Sequence, residues 1–308
     1  MISGFYGRTD NGASFFSGRS VTNRNGSMKA AMSFDKMEGI GNDFIVTHDF
    51  LPDEVAAISA RAAGICDRRR GIGGDGLIFI LPSDRADFRM RIFNSDGSEA
   101  EMCGNGIRCC VEYIRRKSLS STRELAIETL AGIIGAEFGG DGLVRVDMGP
   151  PRLEADQIPV RAAKGSVVKM PLTLDNGRTF AVTAVSMGNP HAVIYSEELT
   201  DELVLGAGPR IETDPHFPRK TNVEFIKVLS AGEIRMRVWE RGCGETQACG
   251  TGACAAVVSG ILNGLHGNRV TVHLPGGDLF IEWSGDPHDP VYMTGPARTV
   301  FTGEYALV

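Results

Sequence analysis

Two segments of this chain place a cysteine directly ahead of Gly-x-Gly, and the chemistry such a placement suits is proton transfer at sulfur. The first runs Asn94-Ser-Asp-Gly-Ser-Glu-Ala-Glu-Met-Cys103-Gly-Asn-Gly-Ile-Arg108; the second runs Glu240-Arg-Gly-Cys-Gly-Glu-Thr-Gln-Ala-Cys249-Gly-Thr-Gly-Ala-Cys254. In each, a polar loop follows a strand-like run, and the cysteine falls where a helix should begin. First-turn N–H groups of a helix lack internal partners and carry partial positive charge. Glycine lets the backbone come close to a bound anion, so each segment can hold a carboxylate or a phosphate. A cysteine at such a start is expected to have its thiolate stabilised, with a pKa of about 3.5–7.5. One segment alone is a weak signal, because Gly-x-Gly after a strand also occurs in many nucleotide-binding proteins.

The pair says more, because the segments occupy equivalent places in a repeat. An offset of 146 residues (89 to 235) lays Arg89-Met90-Arg91-Ile92-Phe93 on Arg235-Met236-Arg237-Val238-Trp239. The same offset lays Glu99 on Glu245, Cys103 on Cys249, Gly104 on Gly250 and Gly106 on Gly252, and one more residue lays Gly41-Asn42 on Gly188-Asn189. The chain therefore reads as two copies of one α/β unit with a boundary near Gly149-Pro150-Pro151. If the copies face each other across a pseudo-twofold axis, Cys103 and Cys249 meet on opposite sides of one cleft. One thiolate could then take an α-proton while the opposing thiol returns one, inverting the carbon between them. The two helix starts would hold the α-carboxylate and its developing enolate-like charge, at about 3–4 kcal/mol for each preorganised donor.

The elements that must position these residues alternate along the chain. Short apolar runs at 44–48 and 77–81 read as strands, and 89–93 alternates as a half-buried strand does. Val55, Ile58 and Ala62 have helical spacing within 53–63. A helix is expected from Cys103 through Val111 and Ile114. The second half predicts strands at 192–195, 235–239, 279–283 and 291–294, with a helix from Cys249 toward Leu262.

Composition narrows the function classes. The chain has 308 residues, a formal net charge of -6, 42% hydrophobic and 23% charged residues. That suits two domains with sizeable cores and disfavours a nucleic-acid partner. No apolar run approaches the ~18–20 residues of a membrane span. Seven cysteines, without a recognisable secretory signal, fit a reducing compartment better than a disulfide scaffold. Cys243, Cys249 and Cys254 have the wrong spacing for zinc. Cys109, Cys110 and Cys254 read as core residues, and Cys66 and Cys243 have no assigned role. Residues 1–31 are rich in Gly, Ser and Asn, carry Arg8, Arg19, Arg24 and Lys29 against the single acid Asp10, and read as a flexible tail. The tail could be a leader, an over-extended gene start or an organelle transit peptide.

A family resemblance rests on several strings taken in order. Gly39-Ile-Gly-Asn-Asp-Phe44, Phe93-Asn-Ser-Asp-Gly97, Met102-Cys-Gly-Asn-Gly106, Met187-Gly-Asn-Pro-His191, Trp239-Glu-Arg-Gly242 and Ala248-Cys-Gly-Thr-Gly-Ala253 resemble diaminopimelate epimerases. Pro275-Gly-Gly277 and Ile281-Glu-Trp283 also fit. The resemblance implies a mixed α/β fold: two pseudo-symmetric domains of duplicated β-sheet, each wrapped around a central helix, with the active site in the interdomain cleft. It implies domains at 32–149 (completed by a last strand near 296–308) and 150–295. The implied activity is an isomerase's, epimerisation of LL- to meso-diaminopimelate in lysine biosynthesis, with no cofactor and no metal. Cys103 and Cys249 take the catalytic positions, and Gly104, Asn105, Gly250 and Thr251 meet the carboxylate at the reacting centre. Asn94, Asn189, Asn222, Glu240 and Arg241 hold the distal amino-acid end, with Asn42 lining the pocket. Chemistry agrees, since a distal zwitterion needs an Arg for its carboxylate and a carboxylate for its ammonium. His191 is placed beside a catalytic thiol, where it and Glu240 tune pKa values. Two positions depart from the family: Gly76, where some members carry a side-chain amide, and Phe301, where some have a dimer-contact tyrosine.

The expected partner is a small molecule, with a homodimer as the assembly and the cytoplasm as the location, or the plastid if the tail is a transit peptide. Two readings compete. One is another two-thiol enzyme resembling proline racemase or hydroxyproline epimerase, which needs no distal recognition set. The other is a thiol redox or ligand-binding protein on the same scaffold. Phenazine-biosynthesis-type isomerases are disfavoured, because they lack the paired cysteines.

Overall fold

The computed structural model describes residues 30–139 and 142–307, so most of the tail expected at 1–31 lies outside the described residues. The chain divides into two compact units. The first holds the described residues up to Gly39, then Asp43–Val144, then those from Ala297 on. Its strands are β1 (Ala31–Gly39), β2 (Asn42–Thr47), β3 (Gly76–Leu81), β4 (Phe88–Asn94), β5 (Glu99–Ala100), β6 (Glu124–Thr129), β7 (Gly132–Phe138) and, near the chain's end, β18 (Arg298–Ala306). Its helices are α1 (Val55–Ser59), α2 (Ala62–Cys66) and α3 (Gly104–Arg116). The strands run in the spatial order β7-β6-β4-β3-β2-β1-β18, with β5 folded back on β4.

The second unit repeats that plan. It takes Ile40–Asn42 and Arg145–Pro296. Strand β8 (Leu143–Asp147) leads into it, followed by β9 (Met170–Thr173), β10 (Thr179–Ser186), β11 (Pro190–Tyr195), β12 (Asn222–Ser230), β13 (Glu233–Glu240), β14 (Gly244–Thr246), β15 (Arg269–Leu274), β16 (Gly277–Glu282) and β17 (Tyr292–Pro296). Helix α4 (Asp201–Glu212) lies between β11 and β12, and α5 (Gly250–Leu262) between β14 and β15. The order β16-β15-β13-β12-β11-β10-β9, with β14 folded on β13, reproduces the first unit strand for strand. The senses agree too: β2–β3 and β11–β12 are parallel, as are β4–β6 and β13–β15.

Strand alternation decides what each sheet face buries. All six residues of β3 are buried, so its sequence shows no polar face. Leu77, Phe79 and Leu81 join Val55, Ile58, Ala62 and Ile65 in one core. Ile78 points the other way, toward α3. In the second unit Val223 and Phe225 of β12 join Leu203, Val204, Ala207 and Ile211 of α4. Asn222, Glu224 and Ile226 consequently share the opposite face of β12, the face turned to α5. Each buried aliphatic side chain contributes about 1.5–3 kcal/mol, so these two-sided cores fix strand register firmly.

The expected helix at 53–63 is broken into α1 and α2 around Ala60-Arg61. The bend lets both apolar pairs, Val55 with Ile58 and Ala62 with Ile65, face the same core. Helix α4 escaped the sequence reading, although Thr200 caps it by accepting from the Leu203 N–H at 3.2 Å and two acids fill its first turn. Pro209 inside the helix obscures the pattern. Among the described residues no helix is long and apolar enough to cross a membrane.

A charge network that runs from the buried Lys36 out to the exposed Arg68 pins the turns of the first unit. Lys36 donates to Asp43 at 2.5 Å and to the Gly73 carbonyl, while Arg68 bridges Asp43 (2.6 Å) and Asp75 (2.8 Å). Burial pushes the Asp43 carboxyl up, but hydrogen bonds from Arg68 and Lys36 outweigh it and hold the group well below the usual carboxylate range. A depressed pKa stabilises the fold above the unfolded-state value, and that stability is lost as pH falls. Asp43→Asn leaves Lys36 buried without its counter-charge. The expected loss at neutral pH is about 3 kcal/mol by urea unfolding, narrowing once the pH drops below about 4.

Candidate active site

Both cysteines stand at the same structural point. Cys103 is the N-cap of α3, with φ -143° and ψ 117°, and Cys249 is the N-cap of α5, with φ -131° and ψ 106°. Each extended residue turns the chain from a polar loop into a helix whose first residue is glycine. The loops are held alike. Arg91 on β4 makes a bidentate pair with Glu99 on β5 (2.6 and 2.8 Å), and Arg237 on β13 makes the equivalent pair with Glu245 on β14 (2.7 and 3.0 Å). Both glutamates lie four residues ahead of their cysteine. Such part-exposed pairs contribute only about 1 kcal/mol each, so their main effect is to fix the path of the loop. Arg237 also donates to the Leu199 carbonyl and to Asp201, both at 2.8 Å, tying its loop to the start of α4.

In the first unit Gly104 and Asn105 are buried in the opening turn of α3. The fully buried Arg108 donates back to the Gly104 carbonyl at 3.3 Å. A Cβ on Gly106 would lie 3.3 Å from both Ile78 and Ile92 and 3.4 Å from the Cys103 Cβ, so glycine is what lets the helix start nest on the sheet. Asn94 closes the β4–β5 turn through Ser98, with the backbone pair at 2.8 Å and the side chains at 3.0 Å. Opposite it in register stands Gly76, where a Cβ would come within 2.9 Å of the Phe93 carbonyl. The chain's departure at Gly76 is therefore packed shut by its own backbone.

The second unit surrounds its thiol with more polar groups. Cys249 is 6% exposed. Its sulfur lies 3.6 Å from the Thr251 hydroxyl, and Thr251 accepts from the Asn189 amide at 3.3 Å. The Asn189 carbonyl oxygen is 3.0 Å from His191 Nε2, and His191 Nδ1 is 2.7 Å from Glu224 Oε1. Glu240 also hydrogen-bonds Cys249, and accepts from Thr246 at 2.5 Å. Asn222 is committed to the backbone: its oxygen accepts from the Arg241 N–H (2.9 Å) and its amide donates to the Pro190 carbonyl (3.0 Å). The Arg241 guanidinium is exposed and reaches the Arg219 carbonyl at 3.2 Å. Glu212, at the end of α4, accepts from the Trp239 indole (2.8 Å) and the Gly242 N–H (3.0 Å), bracing the Glu240-Arg241 turn from both sides.

Comparison with known proteins decides the family. The family model for diaminopimelate epimerase matches residues 34–154 and 183–300. The chain belongs to the diaminopimelate epimerase family. A diaminopimelate epimerase of Pelotomaculum thermopropionicum is 54% identical over 282 residues, covering 89% of this chain and 99% of that protein. One from Moorella thermoacetica is 53% identical over 281 residues, covering 90% of this chain and all of that protein. Among solved structures, a hydroxyproline epimerase from Agrobacterium vitis aligns with a TM-score of 0.66 at 16% identity, covering 91% of this chain and 93% of that one. At that identity the match shows the mixed α/β, two-domain epimerase fold and nothing finer. Like its family, the chain is an isomerase of the epimerase type.

Within the second unit, Asn189, His191, Glu240, Thr251 and Cys249 form one contiguous group, and Asn222 with Arg241 forms its rim. Asn42 opens β2 and is partly buried. Cys103, Gly104 and Asn105 come together in the first unit, with Asn94 at the loop's other end. One expectation fails. A stabilised thiolate was expected at each helix start, yet the Cys249 thiol is pushed well above its ordinary range. Burial is the main cause, with the Glu240 and Glu224 carboxylates adding to it, and the Thr251 hydroxyl and Gly252 N–H offset only part. Sequence reading also missed Glu224 and Glu212, although Asn222-Val-Glu224 alternation puts Asn222 and Glu224 on one strand face.

The Pro275-Gly-Gly277 string gains a physical reason here. The Gly276 N–H donates to the Gln247 carbonyl at 2.9 Å, and a Cβ there would sit 2.0 Å from the Ile40 oxygen. Gly276→Ala must displace the loop that carries Cys249, with an expected cost of about 1–3 kcal/mol in thermal unfolding. A second outcome concerns reactivity. At pH 7.5 iodoacetamide should modify the exposed Cys243 well before Cys249, as site-resolved mass spectrometry would show.

Proposed function

We propose that the chain epimerises LL-2,6-diaminopimelate to meso-diaminopimelate, in lysine biosynthesis, by a two-cysteine mechanism. What supports this most is the duplicated cysteine N-cap: two thiols at equivalent helix starts, each followed by Gly-x-Gly and each loop held by its own Arg–Glu pair. The relatives' shared name supplies the substrate.

The reaction requires the two sulfurs to address opposite faces of one α-carbon. One enters as thiolate and the other as thiol. The Cα–H bond breaks with its proton passing to the thiolate, and the opposing thiol's proton forms the new Cα–H bond. The sulfurs thereby exchange protonation states, and atoms and charge balance without a cofactor. First-turn N–H groups at Gly104-Asn105 and Gly250-Thr251 stabilise the charge that develops on the α-carboxylate. Burial beside Glu240 and Glu224 makes Cys249 the thiol partner at rest, able to donate a proton when the carbanion forms. Arg241 and Glu240 supply the charges that a second, unreacting amino-acid end demands.

Replacing Cys103 or Cys249 singly by Ala should lower epimerisation by at least about a hundredfold, the ordinary reach of a general acid or base. Chiral chromatography of the product measures it. Turnover near wild type in either variant refutes the two-thiol reading.

A further inference from the structure

The two units share a scaffold but fill one position differently. The offset that superimposes Cys103 on Cys249 also lays Ile78 on Glu224 and Gly76 on Asn222. Strand register completes the set: Phe44 pairs with Gly76, and His191 pairs with Asn222. Where the first unit packs Phe44 and Ile78 beneath its helix start, the second packs His191 and Glu224. All four are buried. The scaffold itself is therefore content with apolar side chains at these points.

A buried carboxylate is costly unless it is held by hydrogen bonds, and Glu224 is only half held. Its Oε1 lies 2.7 Å from His191 Nδ1, while its Oε2 is buried without a hydrogen-bond partner among the described residues. It also crowds the start of α5. A Cβ on Gly252 would lie 2.7 Å from Glu224 Oε1 and 3.2 Å from the Cys249 sulfur, so carboxylate and thiol flank the same glycine. The corresponding Cβ on Gly106 would meet only the tip of Ile78 and its neighbours, at 3.3 Å. An acid kept against that cost, in place of an isoleucine the fold accepts, points to a role at the thiol.

We propose that Glu224 is a positioning residue for the Cys249 half of the reaction, acting through His191. Its carboxylate accepts the His191 Nδ1–H, which fixes the plane of the ring. Nε2, which also faces an oxygen, then donates to the Asn189 carbonyl, and the Asn189 amide donates in turn to Thr251 beside the sulfur. The charged and titratable groups at this point are Glu224 on β12, His191 on β11, Glu240 at the end of β13, and Cys249 itself. This inference rests on the reading of Cys249 as a proton carrier. A carboxylate that orients a histidine is a recurrent device, and disturbing one at a metal site typically costs ten- to a hundredfold.

Glu224→Gln keeps an acceptor of the same length and removes the charge. In the full-length protein we expect kcat on LL-diaminopimelate to fall by about ten- to a hundredfold, with KM changed less than threefold. Thermal unfolding should still be cooperative. Nitrogen-15-edited proton NMR supplies a readout that needs no turnover. Because His191 is fully buried, its Nδ1 proton exchanges slowly and should give a strongly downfield resonance, assigned by its loss in His191→Gln. In Glu224→Gln it should move upfield, since a neutral acceptor makes the weaker bond. Should Glu224→Gln fail to fold, Glu224→Asp, which keeps the charge at a shorter reach, must show the same displaced resonance and an intermediate kcat. Wild-type kcat in Glu224→Gln overturns the proposal, and so does a lowered kcat with the His191 resonance unmoved. If the wild type does not turn over diaminopimelate, the substrate reading fails, and the resonance alone decides whether Glu224 sets His191.

Discussion

The bidentate pair between a strand arginine and a hairpin glutamate is the contact on which each half of this site depends. Arg91–Glu99 and Arg237–Glu245 hold a short return strand against β4 and β13, and that strand delivers the chain to a cysteine N-cap four residues later. A planar guanidinium matched to a carboxylate allows one geometry, so the loop has little freedom to wander. Hydrogen bonds to Glu99 and to Glu245 raise the pKa of each arginine further, which keeps both pairs ionised. The second glycine of each Gly-x-Gly, Gly106 or Gly252, then lets the helix start lie close to the sheet. Neither feature would suffice alone, because a well-held loop without the glycines could not bring an anion to the N–H groups.

Upon this shared frame the two units diverge in polarity. The first packs isoleucine and phenylalanine under its helix start, while the second packs a glutamate, a histidine and an asparagine. The consequence shows in the Cys249 thiol, which burial and two carboxylates hold in its protonated form. A helix start alone favours the thiolate, but its partial charge is smaller than the combined cost of desolvation and two nearby negative charges. Glu240 feels the same setting: burial, and then Glu224, raise its carboxyl, against the hydrogen bond from Thr246. In the proposed two-thiol mechanism one sulfur must enter with its proton, and these surroundings suit Cys249 to that role.

Much of this was legible in the chain because duplication writes the same pattern twice. Helices α3 and α5 begin at Gly104 and Gly250, separated by the offset that relates the cysteines, and the strands that precede them keep the matched Arg-x-Arg pattern. The family strings were legible for the same reason, being tied to turns that tolerate few residues. Gly276, for example, has no room for any side chain. What stayed hidden was set by tertiary packing. Glu224 reads as an ordinary polar residue in a strand until α5 is seen to close over it. The direction of the Cys249 shift depends on burial and on side chains distant in sequence. Helix α4, with a proline inside it, carried too mixed a pattern to stand out, and Glu212 at its end went unnoticed with it.

The central claim is that one sulfur removes the α-proton and a different one returns it. Proton NMR of reduced protein with LL-diaminopimelate in D2O tests this most directly. Early in the reaction, meso product should carry deuterium at the inverted carbon while the remaining LL substrate keeps its α-proton. Deuterium entering the recovered substrate as fast as the product would mean a single base serves both faces, and would contradict the account.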